Sequence, residues 1–221
     1  MPKVSQSTRP PTVVSPEVLP DNRVTFRIHA PRAIEVSIEG DWMWQGLGDG
    51  GQPWMDEHGV WSITVGPLPS DFYTYSFDVD GVRTLDPVNT TIKPGAIGIQ
   101  NILLVPGEQM AFSATQAVPH GQVRLVWYNS PATGRIRRMH LYTPPGYDDH
   151  KDQDYPILYL IHGGGDDDAA WSTIGRAGFI MDNLLAGNQV EPMIIVMPDG
   201  GINLPGWTMM LSKEDGHNAV A

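Results

Sequence analysis

The sequence predicts an all-β sandwich followed by the opening of an α/β domain with a three-layer α/β/α plan. Three observations carry this. Residues 24–105 alternate apolar and polar side chains in short runs separated by Gly, Pro and Asp. Residues 157–161 and 193–197 are instead continuously apolar. Between those two runs, apolar residues recur at helical spacing.

Residues 1–20 carry Pro2, Pro10, Pro11, Pro16 and Pro20 among polar residues, which predicts a flexible or extended lead-in. The sandwich is expected over 21–106. Val24, Phe26 and Ile28 alternate with Thr25, Arg27 and His29. The same period of two runs through Val36 and Ile38, through Trp61, Ile63 and Val65, and through Tyr73, Tyr75, Phe77 and Val79. Each run is a strand with one buried face. Asp80-Gly81 marks a hairpin turn, and residues 101–105 close the series. Six or seven short strands at this spacing read as an antiparallel sandwich.

Residues 107–121 read as a linker, and the second domain is expected over 122–221. Residues 122–128 and 135–143 predict a hairpin, followed by an acidic loop, 148–154. The run 157–161 suits a parallel strand covered on both faces. Ile174, Ala177, Gly178, Met181, Leu184 and Leu185 form the apolar face of a helix. Strand, helix and second strand together make a βαβ unit.

Twenty-five acids against fourteen bases give a formal charge of −11. An acidic surface repels a phosphate backbone, so nucleic acid is excluded as a partner. The apolar runs are too short to cross a bilayer, which argues against a membrane role. The absence of cysteine removes disulfides and thiolate metal sites. The seven histidines show no metal-ligand spacing, so no metal is expected. The amino terminus lacks the apolar core of a secretory signal, leaving the compartment open.

The motif with the clearest chemistry is His162-Gly163-Gly164-Gly165, directly after the first buried strand. Glycines let backbone N–H groups approach a reacting carbonyl with no Cβ in the way. Donors aimed at a developing oxyanion are worth about 3 kcal/mol each. Gly163, Gly164 and Gly165 are therefore an oxyanion-loop candidate, with His162 as a structural residue of the turn. Asp166, Asp167 and Asp168 are expected to cap a following helix. Residues 46–51, GLGDGG, match a dinucleotide-binding pattern but lack the surrounding βαβ unit. Trp42, Trp44 and Trp54 lie in Gly/Pro-rich segments, where exposed rings would stack on sugars; packing is the competing reading for each. Trp61 alternates with the core. Ser172 and Ser212 lack the flanking glycines that present a strained nucleophile, and nothing packs after His217; none of the three takes a catalytic role.

Residues of roughly 120–210 resemble the esterase-D-like group of α/β-hydrolases, which includes feruloyl, acetyl xylan and siderophore (enterobactin-type) esterases. The matching stretches are 138–147, RMHLYTPPGY; 155–165, YPILYLIHGGG; Trp171; and 195–200, IVMPDG. Residues of roughly 12–106 resemble the early-set immunoglobulin-like domain of the carbohydrate-binding module 48 type, through 26–31, FRIHAP; 36–42, VSIEGDW; 59–61, GVW; and 72–81, FYTYSFDVDG. The resemblance implies an immunoglobulin-like sandwich ahead of an α/β-hydrolase domain. It implies hydrolysis of hydroxycinnamate or acetyl esters on plant polysaccharide, without a cofactor, by a secreted or periplasmic protein. It places Trp171 beside the active site. It also requires a Gly-x-Ser-x-Gly serine, an acid and a late histidine, and none has a matching position among the 221 residues. The expectation is an incomplete, inactive esterase domain with uncovered apolar sheet faces, less resistant to proteolysis than the sandwich. The alternatives are a polysaccharide-binding module alone, or a relative of the siderophore esterases.

Overall fold

The computed structural model describes residues 11–96, 98–150 and 152–201. The expectations for Ser212, His217 and the end of the chain lie outside these residues.

Residues up to about 105 form two antiparallel sheets. One contains β1 (Glu17–Val18), β2 (Val24–His29), β4 (Trp54–Met55) and β5 (Val60–Val65), in the order β1-β2-β5-β4. The other contains β3 (Val36–Gly40), β6 (Phe72–Val79), β8 (Ile92–Gly95) and β9 (Gly98–Leu104), in the order β3-β6-β9-β8, with β7 (Val82–Thr84) also paired to β6. β1 pairs with β2 from within the expected lead-in, Glu17 opposite Thr25. Asp80 and Gly81 both take positive φ, which a two-residue turn between β6 and β7 requires.

The alternating side chains of both sheets meet in one core. Val24, Phe26, Ile63 and Val65 from one sheet pack with Val36, Ile38, Tyr73, Tyr75, Phe77 and Leu103 from the other. A four-residue helix, α1 (Asp41–Trp44), follows β3 where a loop is expected. It turns Trp42 into this core, stacked on Phe26 at 5.6 Å between ring centroids. Gly40 makes this possible: a Cβ there would lie 2.0 Å from the Trp42 ring.

The segment 107–121 is not a free linker. Its 3-10 turn, Glu108–Ser113, packs on the second domain. The carbonyls of Phe112 and Ala114 accept from Asn183, and that of Ser113 accepts from Arg176.

The second domain is a four-stranded mixed sheet: β10 (Gln122–Ser130), β11 (Arg135–Thr143), β12 (Ile157–Tyr159) and β13 (Ile194–Pro198), in the order β10-β11-β13-β12. β12 and β13 run parallel and are joined through α2 (Ala177–Ala186), which is the expected βαβ unit. Ala177 and Met181 of α2 pack on Tyr142, Ile195 and Met197. Buried Asp182 fastens the helix, accepting from the Tyr142 hydroxyl at 2.7 Å and the Gly121 N–H at 2.9 Å, with His120 Nδ1 at 2.8 Å.

Two expectations are corrected here. The run 157–161 is not covered on both faces: Ile157, Tyr159 and Ile161 are 55%, 63% and 56% exposed. Alternation turns Ile157 and Tyr159 away from α2, and no described element covers that side. The architecture is mostly β-sheet with few helices, and one helical layer packs on the second sheet among the described residues. The acidic run 166–168 does not cap a helix either. α2 begins at Ala177, its preceding residue Arg176 is left-handed, and it has no side-chain cap.

Candidate functional site

β12 ends at Tyr159, and the chain passes through His162 into a tight turn. Asp166 N–H donates to the Gly163 carbonyl at 3.2 Å, and Gly165 has φ of +85°, a conformation that favours glycine. Among the described residues, none of the Gly163, Gly164 and Gly165 N–H groups donates to a protein acceptor. Unpartnered donors on a turn at the carboxyl end of a parallel strand are suited to receive an anionic oxygen.

His162 is held on both ring nitrogens. Nδ1 lies 2.8 Å from the Gly163 carbonyl, and Nε2 accepts from Gly200 N–H at 2.9 Å. It therefore pins the end of β12 to the loop after β13, as expected of a structural residue.

The three aspartates after the glycines have separate partners. Asp166 pairs with Lys93 of β8 at 2.6 Å. Asp167 Oδ1 accepts from Ala169 N–H at 2.9 Å, closing a local turn. Asp168, 2% exposed, accepts from Arg138 Nε at 2.8 Å and Nη2 at 2.6 Å. This paired, charge-assisted contact holds the Arg138 guanidinium above its usual range. Arg137 donates to the carbonyls of Asp199 and Gly201. A groove of about 780 Å³ runs along these groups, with Trp127, Arg137, Arg138, Asp167, Asp168 and Asp199 in its walls. A smaller cleft of about 260 Å³ lies between the domains and brings Trp44 and Lys93 to Gly164 and Gly165.

The aromatic candidates divide. Trp42 is fully buried, so its ring has no face to offer a sugar, which corrects its place among the candidates. Trp44 is 92% exposed and Trp54 is 59% exposed. Trp171 is 37% exposed, and its indole N–H donates to the Ile161 carbonyl at 3.0 Å, one residue before His162. It lines neither cavity.

The tertiary fold also brings Ser172 Oγ to 2.6 Å from His140 Nδ1, a pairing with no motif to announce it. Ser172 Oγ also lies 3.0 Å from the Ala169 carbonyl, so its proton has two competing acceptors, that carbonyl and the imidazole. Burial lowers the His140 pKa against the opposing pull of Asp168, whose carboxylate is 3.9 Å from Nε2. The pair braces the turn before α2 against β11. Among the described residues, no three His, Cys, Asp or Glu side chains gather to hold a metal ion, and no helix is long and apolar enough to cross a membrane.

A family model described as a putative esterase matches residues 130–214, the part of the chain that carries the glycine turn. The chain is 33% identical over 195 residues to the endo-1,4-beta-xylanase/feruloyl esterase of Xylanibacter ruminicola, covering 85% of this chain and 26% of that protein. It is 35% identical over 63 residues to endo-1,4-beta-xylanase Y of Acetivibrio thermocellus, covering 28% of this chain and 6% of that protein. Among solved structures, the enterobactin esterase of Shigella flexneri aligns with a TM-score of 0.57 at 17% identity, covering 80% of this chain and 52% of that one. At that identity the likeness concerns the fold alone. The sequence matches support an esterase family. The chain spans about a quarter of the length of the Xylanibacter protein.

Proposed function

We propose that this chain supplies the oxyanion turn of a carboxylic ester hydrolase that acts on hydroxycinnamate or acetyl esters of plant cell-wall polysaccharide. The glycine turn carries the proposal: three consecutive N–H groups without acceptors among the described residues follow a parallel strand, within the segment that matches the esterase model. Gly163, Gly164 and Gly165 receive the carbonyl oxygen as it becomes negative, and Trp171 flanks the acyl group. The name of the Xylanibacter relative supports a feruloyl ester as substrate. Hydrolysis also needs a nucleophile on a Gly-x-Ser-x-Gly turn, which these 221 residues do not contain. The sandwich is read as an immunoglobulin-like module of the carbohydrate-binding module 48 type, with Trp44 and Trp54 as its sugar-stacking candidates.

A siderophore ester is the weaker reading. A trianionic catecholate calls for uncommitted cations, whereas Arg137 and Arg138 are held by Asp199 and Asp168 beside the groove.

The test is an NMR titration of the 15N-labelled chain with ferulate, whose carboxylate imitates the product in the oxyanion site. The Gly164 and Gly165 amides and the Trp171 indole N–H are expected to shift together and saturably. A titration that leaves all three unmoved at millimolar ferulate overturns the proposal.

A further inference from the structure

A turn of three glycines is the least constrained backbone a chain can offer, whereas oxyanion stabilisation depends on donors that are already in place. Something outside the turn must restrain it. On the amino-terminal side, His162 does so through Gly163 and Gly200. On the carboxyl-terminal side, the restraint comes from the other domain. Lys93 Nζ lies 2.6 Å from Asp166 Oδ1, and the two side chains are only 19% and 24% exposed. Two residues along, Gly95 approaches so closely that a Cβ there would sit 3.0 Å from the Gly165 carbonyl oxygen and 3.8 Å from Asp166 Cα. The β8–β9 hairpin of the sandwich therefore presses directly on the last glycine and holds the residue after it by charge.

We propose that Lys93 is a positioning residue for the oxyanion turn, acting through Asp166, so that docking of the sandwich sets the geometry of the Gly164 and Gly165 N–H groups. The proposal rests on the oxyanion reading for its functional meaning. The contact itself is independent of that reading. Other charges share this cleft: Glu39, Asp41 and Arg83 also line it. Arg83 is drawn to Glu39 at 3.1 Å; Asp41 accepts from Thr74 and also feels the Lys93 charge, while the ion-pair contact of Lys93 is with Asp166. A second, separate attachment keeps the domains together without Lys93: the Arg176 guanidinium sits over the rings of Phe72 in β6 and Phe179 in α2, at 5.4 and 4.2 Å. Loss of Lys93 is thus expected to free the turn and leave the domains docked.

The experiment compares the chain with K93A, K93R and D166N by 15N relaxation. In K93A and D166N, the Gly164 and Gly165 amide order parameters are expected to fall from the rigid range of about 0.85 toward about 0.6. Amides in β6, α2 and β13 should keep their values. K93R, which preserves the charge and the reach, should restore the turn. The ferulate dissociation constant read at those amides should rise roughly two- to fivefold in K93A, the scale of a partly exposed ion pair. Unchanged order parameters in both K93A and D166N overturn the proposal, whether or not ferulate binds. Equal loosening of the turn, α2 and β13 also overturns it, because Lys93 would then be a docking residue only. Absence of ferulate binding to the unaltered chain counts against the esterase reading and leaves the relaxation comparison intact.

Discussion

Asp168 sits where the glycine turn meets the sheet, and its replacement by asparagine measures how firmly that junction is built. The carboxylate is 2% exposed and takes two charge-assisted hydrogen bonds from Arg138, at 2.8 and 2.6 Å. Removing one member of a fully buried ion pair costs about 3–5 kcal/mol. Here Arg138 is 33% exposed, so water recovers part of the lost solvation, and Asp167 lies 3.7 Å from the same guanidinium. Asparagine also keeps one acceptor oxygen. These corrections bring the expected cost for D168N to about 2 kcal/mol, and that for D168A to about 3 kcal/mol, confined to the second domain. The assay is native-state hydrogen exchange in urea, read at the amides of β11 and β13. A double-mutant cycle with Arg138→Met should show a coupling of about 1–3 kcal/mol. A D168N chain whose β11 and β13 opening energies match the parent within about 0.5 kcal/mol, the usual scale for an inconsequential surface change, would refute the reasoning.

Three further outcomes are expected. His140 has a folded-state pKa lowered by burial, so its neutral form adds stability that is complete above about pH 6.5 and is lost as the pH falls below that value; urea midpoints of the second domain between pH 7.5 and 5 should show this, and H140Q should flatten the dependence. Trp42→Ala should destabilise the sandwich by about 3–5 kcal/mol, whereas Trp44→Ala and Trp54→Ala should leave its melting point unchanged and weaken retardation in xylan or α-glucan affinity gels; equal stability losses in all three would show that the division by burial is mistaken. The purified chain should not hydrolyse a p-nitrophenyl ester, and turnover abolished by a serine-directed phosphonate would place a nucleophile among these 221 residues.

Much of the fold was legible residue by residue. Burial in a strand repeats every second position and depends on the local backbone alone, so β2, β3, β5 and β6 could be read from their alternation. The glycine turn was legible as a turn because consecutive glycines directly after an apolar run punctuate the chain locally. The partners of the acidic run were not. Helix capping is a local rule and suited three aspartates before an apolar segment, yet cations from other parts of the chain claimed Asp166 and Asp168. The pairing of His140 with Ser172 had no signal either, since it joins a strand to a turn far along the chain.

The amino-acid sequence alone determined that strands of period two precede a βαβ unit with a glycine turn at its first strand's end, because each of these is a property of neighbours in the chain. Tertiary structure alone decided that Trp42 is buried while Trp44, two residues on, stands in solvent, and that Lys93 of one domain holds the aspartate behind the glycines of the other. Burial and ion pairing are settled by what arrives from elsewhere in space, and no local pattern records it.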